Sequence, residues 1–317
     1  GLRDARLRFA LSRSHPELRR IARLYVPIAL GLIVDMLGVA LSYNLASRTG
    51  ERSIPWMQYS ATLIQFPLGL VSIAISIAIL PTLSRQATEG QPETFMATLA
   101  QGLRIVLALT IPATVGLWVL AQPIVALVFE HGDFTAIDTL GTVSALRCHL
   151  VGLIFAAIDQ PLIFAFYARK DTWTPALVGV ATVILYVIMA LAPTAFVPLT
   201  LNRLILANSL KSAAHAVIML IVLERRAGSI KGRGVVGLII KAVVASSVMG
   251  GGVLLLSQAL AGAVPQGVMG ELLLVGATGA IGLAVYWVAA TRLRLEEVRL
   301  VGRALLEWGR RLTLSRR

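Results

Sequence analysis

Cysteine is almost missing from this chain: Cys148 stands alone among 317 residues. That excludes an intrachain disulfide and any metal site built from several thiolates. Charge is scarce as well. Asp, Glu, Lys and Arg make up 14% of the sequence, where a soluble domain carries about 25%. Aromatic residues reach only 6%, and long runs of Leu, Val, Ile and Ala replace the polar–apolar alternation that membrane barrels need. No catalytic constellation stands out. His15, His131, His149 and His215 lack HExxH or comparable ligand spacing, and no G-x-x-x-x-G-K-[ST] loop is present to hydrolyse nucleotide. Gly250–Gly252 is a glycine run inside an apolar span, which reads as helix packing.

What is there is hydrophobic length. With 57% hydrophobic residues, the chain divides into eight runs at about 23–46, 55–82, 97–121, 142–168, 174–195, 199–223, 235–260 and 269–291. Each is near the ~20 residues a bilayer requires. The fold class is therefore all-α, a polytopic membrane protein with about eight transmembrane helices. The first residue is Gly rather than Met and no signal peptide precedes the first run, so the chain is expected to be part of something longer.

The net charge of +13 does not come with an RNA- or DNA-reading motif. The basic residues cluster beside apolar spans, which points to anionic membrane lipids as partners and not to nucleic acid. All but Arg48, Arg52, Arg147, Arg203 and Lys211 of the 29 lysines and arginines fall at one end of the predicted spans. By the positive-inside rule both termini are expected in the cytoplasm. Residues 1–22 read as a basic amphipathic helix on the membrane surface, broken near Pro16, and the tail 292–317, with Trp308, as a second. The outer loop 122–141 holds Glu130, Asp133 and Asp138; Thr135-x-x-Asp138 resembles a capping box. At Asp171–Pro175 a helix is expected to start with Thr174 as N-cap.

The stretch Gln58–Arg85 organises the rest. Gln58, Thr62, Gln65, Gly69, Ser72 and Ser76 are spaced 4, 3, 4, 3 and 4, one face of an α-helix. A polar stripe on an apolar helix turns towards other helices or a water-filled cavity, and Pro67 beside it favours a kink. Ionisable groups inside the membrane are costly and mark interiors. Asp35 lies roughly 18 Å into the first span, on a face with Gly31 and Gly38. Asp159 is in the fourth span, and Lys211 in the sixth, on a face with Asn208, Ser212 and His215. These groups read either as internal charge pairing or as a cavity for an anionic headgroup or a coupling ion. Arg147 and His149 read as interfacial. Gly276, Gly279 and Ala280 give the last span a small-residue face for close helix contact.

Three motifs carry a resemblance. QFPLGLVSIAISIAILPTLSR (65–85), PIVALVFEHGDFTAIDT (123–139) and FYARKDTWTP (166–175) resemble, in order and spacing, motifs of the MurJ/MviN family of lipid II flippases. The resemblance implies the second half of a fourteen-span member of the multidrug/oligosaccharidyl-lipid/polysaccharide exporter superfamily. It implies a cytoplasmic linker at 1–22, a six-helix C-terminal lobe at 23–226, and an extra helix pair with a lipid-tail groove and basic tail at 227–317. The implied activity is alternating-access translocation of lipid II or a similar polyprenyl-pyrophosphate lipid, with no covalent chemistry. No cofactor is implied; coupling to membrane potential, protons or sodium is left open. Implied partners are the missing N-terminal lobe and cell-wall synthesis proteins. The sequence departs from the family where its central Arg and Glu fall at Thr62 and Gln65. Other readings are a non-transporting, lipid-binding scaffold in cell-wall synthesis, another lipid-linked glycan exporter, and an ion-coupled antiporter using Asp35 and Asp159.

Overall fold

The computed structural model describes residues 16–192, 198–261, 267–300 and 302. Ten α-helices and one π-helical segment account for most of the regular structure there, 296–300 being helical as well, with no strand among the described residues. Helix α1 spans Pro16–Ala46 and α2 Ser53–Pro67; a π segment, Leu68–Ile73, joins α2 to α3, Ala74–Thr88. Then follow α4 (Pro92–Val119), α5 (Ala121–Phe129), α6 (Ala136–Ala168), α7 (Trp173–Leu191) and α8 (Leu201–Ala227). The last pair is α9 (Val235–Ala261) and α10 (Val268–Arg292). Eight stretches are long and apolar enough to cross a membrane, α2, the π segment and α3 counting as one. Of the expected surface helices, residues 1–15 and 303–317 lie outside the described residues, while 16–22 already belong to α1.

Helix α6 is the centre of the lobe. It packs against α2, the π segment, α3, α4, α5 and α8, while α1 rests mainly on α7 and α9 on α4. Gly152 lets α6 and α8 touch: a Cβ there would lie 2.8 Å from the Ser209 backbone. One apolar core joins Leu83, Phe95, Leu99, Leu162, Phe166 and Met219 from four helices. At the start of α6 the capping residues stand as the sequence has them. The Thr135 N–H donates to Asp138 Oδ2 at 2.9 Å, and that carboxylate also takes Arg52 at 2.7 Å and the Trp56 indole N–H at 3.0 Å. One acid thereby ties α2 to α6.

Three expectations need correction. Helix α7 is capped two residues earlier than Thr174. Thr172 is the N-cap, and Asp171 accepts from the Thr174 N–H at 3.0 Å and from its hydroxyl at 2.6 Å. Asp171 wins because its carboxylate reaches two donors of the first turn at once. The loop 122–141 contains helix α5, nine residues that pack on α6. The glycines of the Gly276–Ala280 face of α10 meet no other helix among the described residues: Gly276 and Gly279 have no neighbour within 4 Å of an added Cβ. Beyond Gly270 the buried residues are Thr278, Gly282, Tyr286 and Ala290, four apart, and a Cβ on Gly282 would lie 2.7 Å from Val253 of α9. That face also anchors the pair to the lobe through the Tyr286 hydroxyl, which donates to the Ala108 carbonyl at 2.5 Å.

Candidate functional site

Helices α1, α6, α7 and α8 leave between them a cavity of about 410 Å³. It runs from Asp35 and Lys211 at mid-helix to Tyr167 and Thr172, beside the end of α6 where the basic residues gather. Four of the sequence-selected residues line it: Asp35, Asp159, Lys211 and His215. Helix α8 supplies Lys211 and His215 four residues apart, so both point the same way. Lys211 Nζ lies 3.3 Å from Asp35 Oδ1 of α1. His215 Nδ1 lies 2.7 Å from Asp159 Oδ1 of α6. The Asp35 carboxylate remains 57% exposed, whereas Asp159 and His215 are nearly enclosed. Gly31 and Gly38 do bring a helix close, and it is α7: added Cβ atoms would lie 3.6 Å from Ala176 and 3.5 Å from Val183.

The polar stripe is divided. Gln58, Thr62, Gln65 and Gly69 are exposed, while Ser72 and Ser76 are buried. The π segment explains the division. It inserts about one residue into the helical repeat, a slip of about 100°, so a face drawn on an uninterrupted α-helix fails beyond Pro67. The hydroxyls of Thr62 and Ser76 are used within the helix, donating to Gln58 O at 3.0 Å and Ser72 O at 2.6 Å. Gln65 and Asn208 meet elsewhere, in a second cavity of about 300 Å³ stacked on the first, towards the other end of α1 and α8. His149 lines that cavity too, 8% exposed and with Nε2 lacking a partner among the described residues. It is buried in the protein, because Leu146, Leu150 and Leu153 pack the same part of α6 into the lobe core. The His215–Asp159 contact was missed. Its only signal was that both residues stand on helices predicted to carry interior charge.

A bundle of membrane-crossing helices around a charged cavity defines a multi-pass membrane protein, here of the bacterial cytoplasmic membrane. The sequence model of the family described as lipid II flippase MurJ matches residues 2–276, and the chain belongs to that family. A probable lipid II flippase MurJ of Vibrio cholerae is 34% identical over 174 residues, 55% of this chain and 33% of the relative. One of Rhizobium tropici is 29% identical over 315 residues, 96% of this chain and 57% of the relative. The chain thus spans between a third and three fifths of these two relatives. Among solved structures, a lipid II flippase MurJ in an inward closed conformation shares the fold. Its TM-score is 0.69 at 21% identity, over 91% of this chain and 57% of that one. An outward-facing multidrug resistance MATE family transporter of the MOP superfamily also shares it, with TM-score 0.54 at 14% identity over 88% and 66%.

Proposed function

We propose that this chain is the C-terminal part of a flippase that moves a lipid-linked peptidoglycan precursor across the cytoplasmic membrane by alternating access. The precursor would be an undecaprenyl-pyrophosphate glycan such as lipid II. Family membership supports the substrate class. The observation that carries the mechanism is the pair at mid-helix in the cavity: Lys211 is held by an acid that is itself more than half exposed. A pyrophosphate can compete with such an acid for the ammonium, which acts as a compact point charge. Translocation breaks no covalent bond, so the cavity residues bind and release without catalysis.

In this reading the basic end faces the cytoplasm, where anionic headgroups hold it, and the cavity opens on that side. Residues 1–22 link to a complementary N-terminal lobe, 23–226 form the C-terminal lobe, and 227–317 add the helix pair that guides the lipid tail. A lobe needs a partner lobe to rock against, whether joined to it or separate. Gln58, Thr62 and Gln65, exposed along α2, face that partner across the central space.

The test is complementation of a flippase-depleted strain by the complete protein. Lys211→Ala should abolish growth rescue and weaken precursor binding while the protein inserts normally; Asp35→Asn should do less. Full rescue by well-expressed Lys211→Ala would remove Lys211 as the headgroup ligand. A second reading, a non-transporting lipid-binding scaffold, is favoured by the uncharged Thr62 and Gln65. It predicts that the unaltered protein fails to rescue at all.

A further inference from the structure

At the end of the bundle away from most basic residues, an opening of about 630 Å³ separates α5 and α6 of the lobe from α9 and α10. Arg147 reaches into it from α6. Its Cα stands eleven residues past Ala136, roughly 16 Å along the helix. The guanidinium lies 6.0 Å from the Trp118 ring and has no ion-pair or hydrogen-bond partner among the described residues. Arg147 is exposed on a membrane-crossing helix, so a guanidinium held by no acid among the described residues is free to meet an anionic headgroup.

Two carboxylates line the same opening nearer its rim. Glu130 closes the end of α5 and accepts from the Thr139 hydroxyl at 2.5 Å. Glu271 stands in the first turn of α10, its side chain without a partner among the described residues. Past Arg147, towards the middle of α6, Val151 and Phe155 are exposed, and Leu254 of α9 faces the opening. The chemistry is therefore ordered along the helices: carboxylates at the rim, a guanidinium deeper, apolar surface deepest.

We propose that this opening binds one phospholipid with a phosphoethanolamine headgroup. That lipid has the same order: a primary ammonium outermost, a phosphate next, acyl chains innermost. The ammonium donates to Glu130 and Glu271, the phosphate meets Arg147, and an acyl chain lies along Val151 and Phe155. A choline headgroup has no N–H to donate to the carboxylates. A glycerol headgroup brings no cation to them, and leaves two acids beside an anionic lipid. This site is independent of the flippase reading, since it shares no residue with the Lys211 cavity.

Native mass spectrometry of the complete protein in detergent tests it, titrating palmitoyl-oleoyl phosphatidylethanolamine, phosphatidylglycerol and phosphatidylcholine in turn. The ethanolamine lipid should bind about tenfold more tightly than the other two, the worth of one charge-assisted contact. Glu271→Gln should erase the preference, weakening phosphatidylethanolamine binding and leaving phosphatidylglycerol binding no weaker than before. Arg147→Gln should weaken both phosphatidylethanolamine and phosphatidylglycerol, and Arg147→Lys should restore most of the loss. Water-soluble O-phosphoethanolamine should not displace the lipid. Equal binding of the three lipids, a preference for phosphatidylglycerol, a preference that survives Glu271→Gln, or displacement by O-phosphoethanolamine would each overturn the assignment. Should Arg147→Gln fail to fold, Glu271→Gln alone decides, because that side chain holds nothing in the described fold.

Discussion

His215 and Asp159 meet at 2.7 Å with 11% and 16% of their side chains exposed; one turn away on α8, Lys211 and Asp35 meet at 3.3 Å with 22% and 57% exposed. Both are acid–base contacts made by one helix face. The first joins α8 to α6, the two most intimately packed helices of the lobe. The second joins α8 to α1, which has little of its surface buried and leans mainly on α7. Enclosure decides what each can do. A buried pair is expensive to open, because whichever partner is left has lost its water and gained nothing. An exposed pair exchanges its partner for water or a ligand at little cost. The inner contact is therefore the costlier to open, and the outer one the easier to exchange.

The largest effect should come from breaking the inner contact alone. Asp159→Ala leaves His215 enclosed without its acceptor and should destabilise the protein by about 3 kcal/mol, read as a clear fall in thermal unfolding temperature in detergent. An unchanged unfolding temperature would dissolve the contrast between the pairs. Next comes the seat of α1. Gly38 is buried against Val183, and Gly38→Leu should cost about 1–2 kcal/mol by overpacking. If it costs less than removing Lys211, α1 is held by charge and not by packing. Replacing both inner partners, Asp159→Leu with His215→Leu, should cost less than Asp159→Ala, since apolar substitutes for a buried pair come out near neutral. A double variant worse than the single one would mean that the polar contact itself shapes the α6–α8 interface.

How far the sequence reached is plain from the same residues. Asp35, Asp159, Lys211 and His215 could be singled out because charge inside an apolar run is visible in one dimension, and they line one cavity. Which acid takes which base was not visible, since it depends on how α1, α6 and α8 rotate about their axes. The eight crossings were legible from length and composition. Helix α5 was not, because AQPIVALVF is apolar all round and too short to announce a period. The stripe on α2 keeps one exposed face as far as Pro67 and then turns into the protein, because a π segment has no distinctive composition. LGLVSI could continue an α-helix equally well.

The smallest effect on stability, and the most informative, belongs to Lys211→Ala. Its removal leaves Asp35 with a carboxylate already more than half exposed, which water can solvate where a buried acid would be stranded. The cost should be below about 1 kcal/mol, the range of solvent-accessible ion pairs, and raised salt should shrink it further. Unfolding temperatures of Lys211→Ala and the unaltered protein, measured at low and high salt, check this directly. A fall as large as that of Asp159→Ala would mean that the outer pair also locks the lobe, and a ligand could not displace Asp35 without unfolding it. A small fall, together with lost precursor binding, separates the roles. In that case Lys211 contributes little to the fold because its charge is reserved for a phosphate, and Asp35 is the placeholder that keeps the ammonium in position until one arrives.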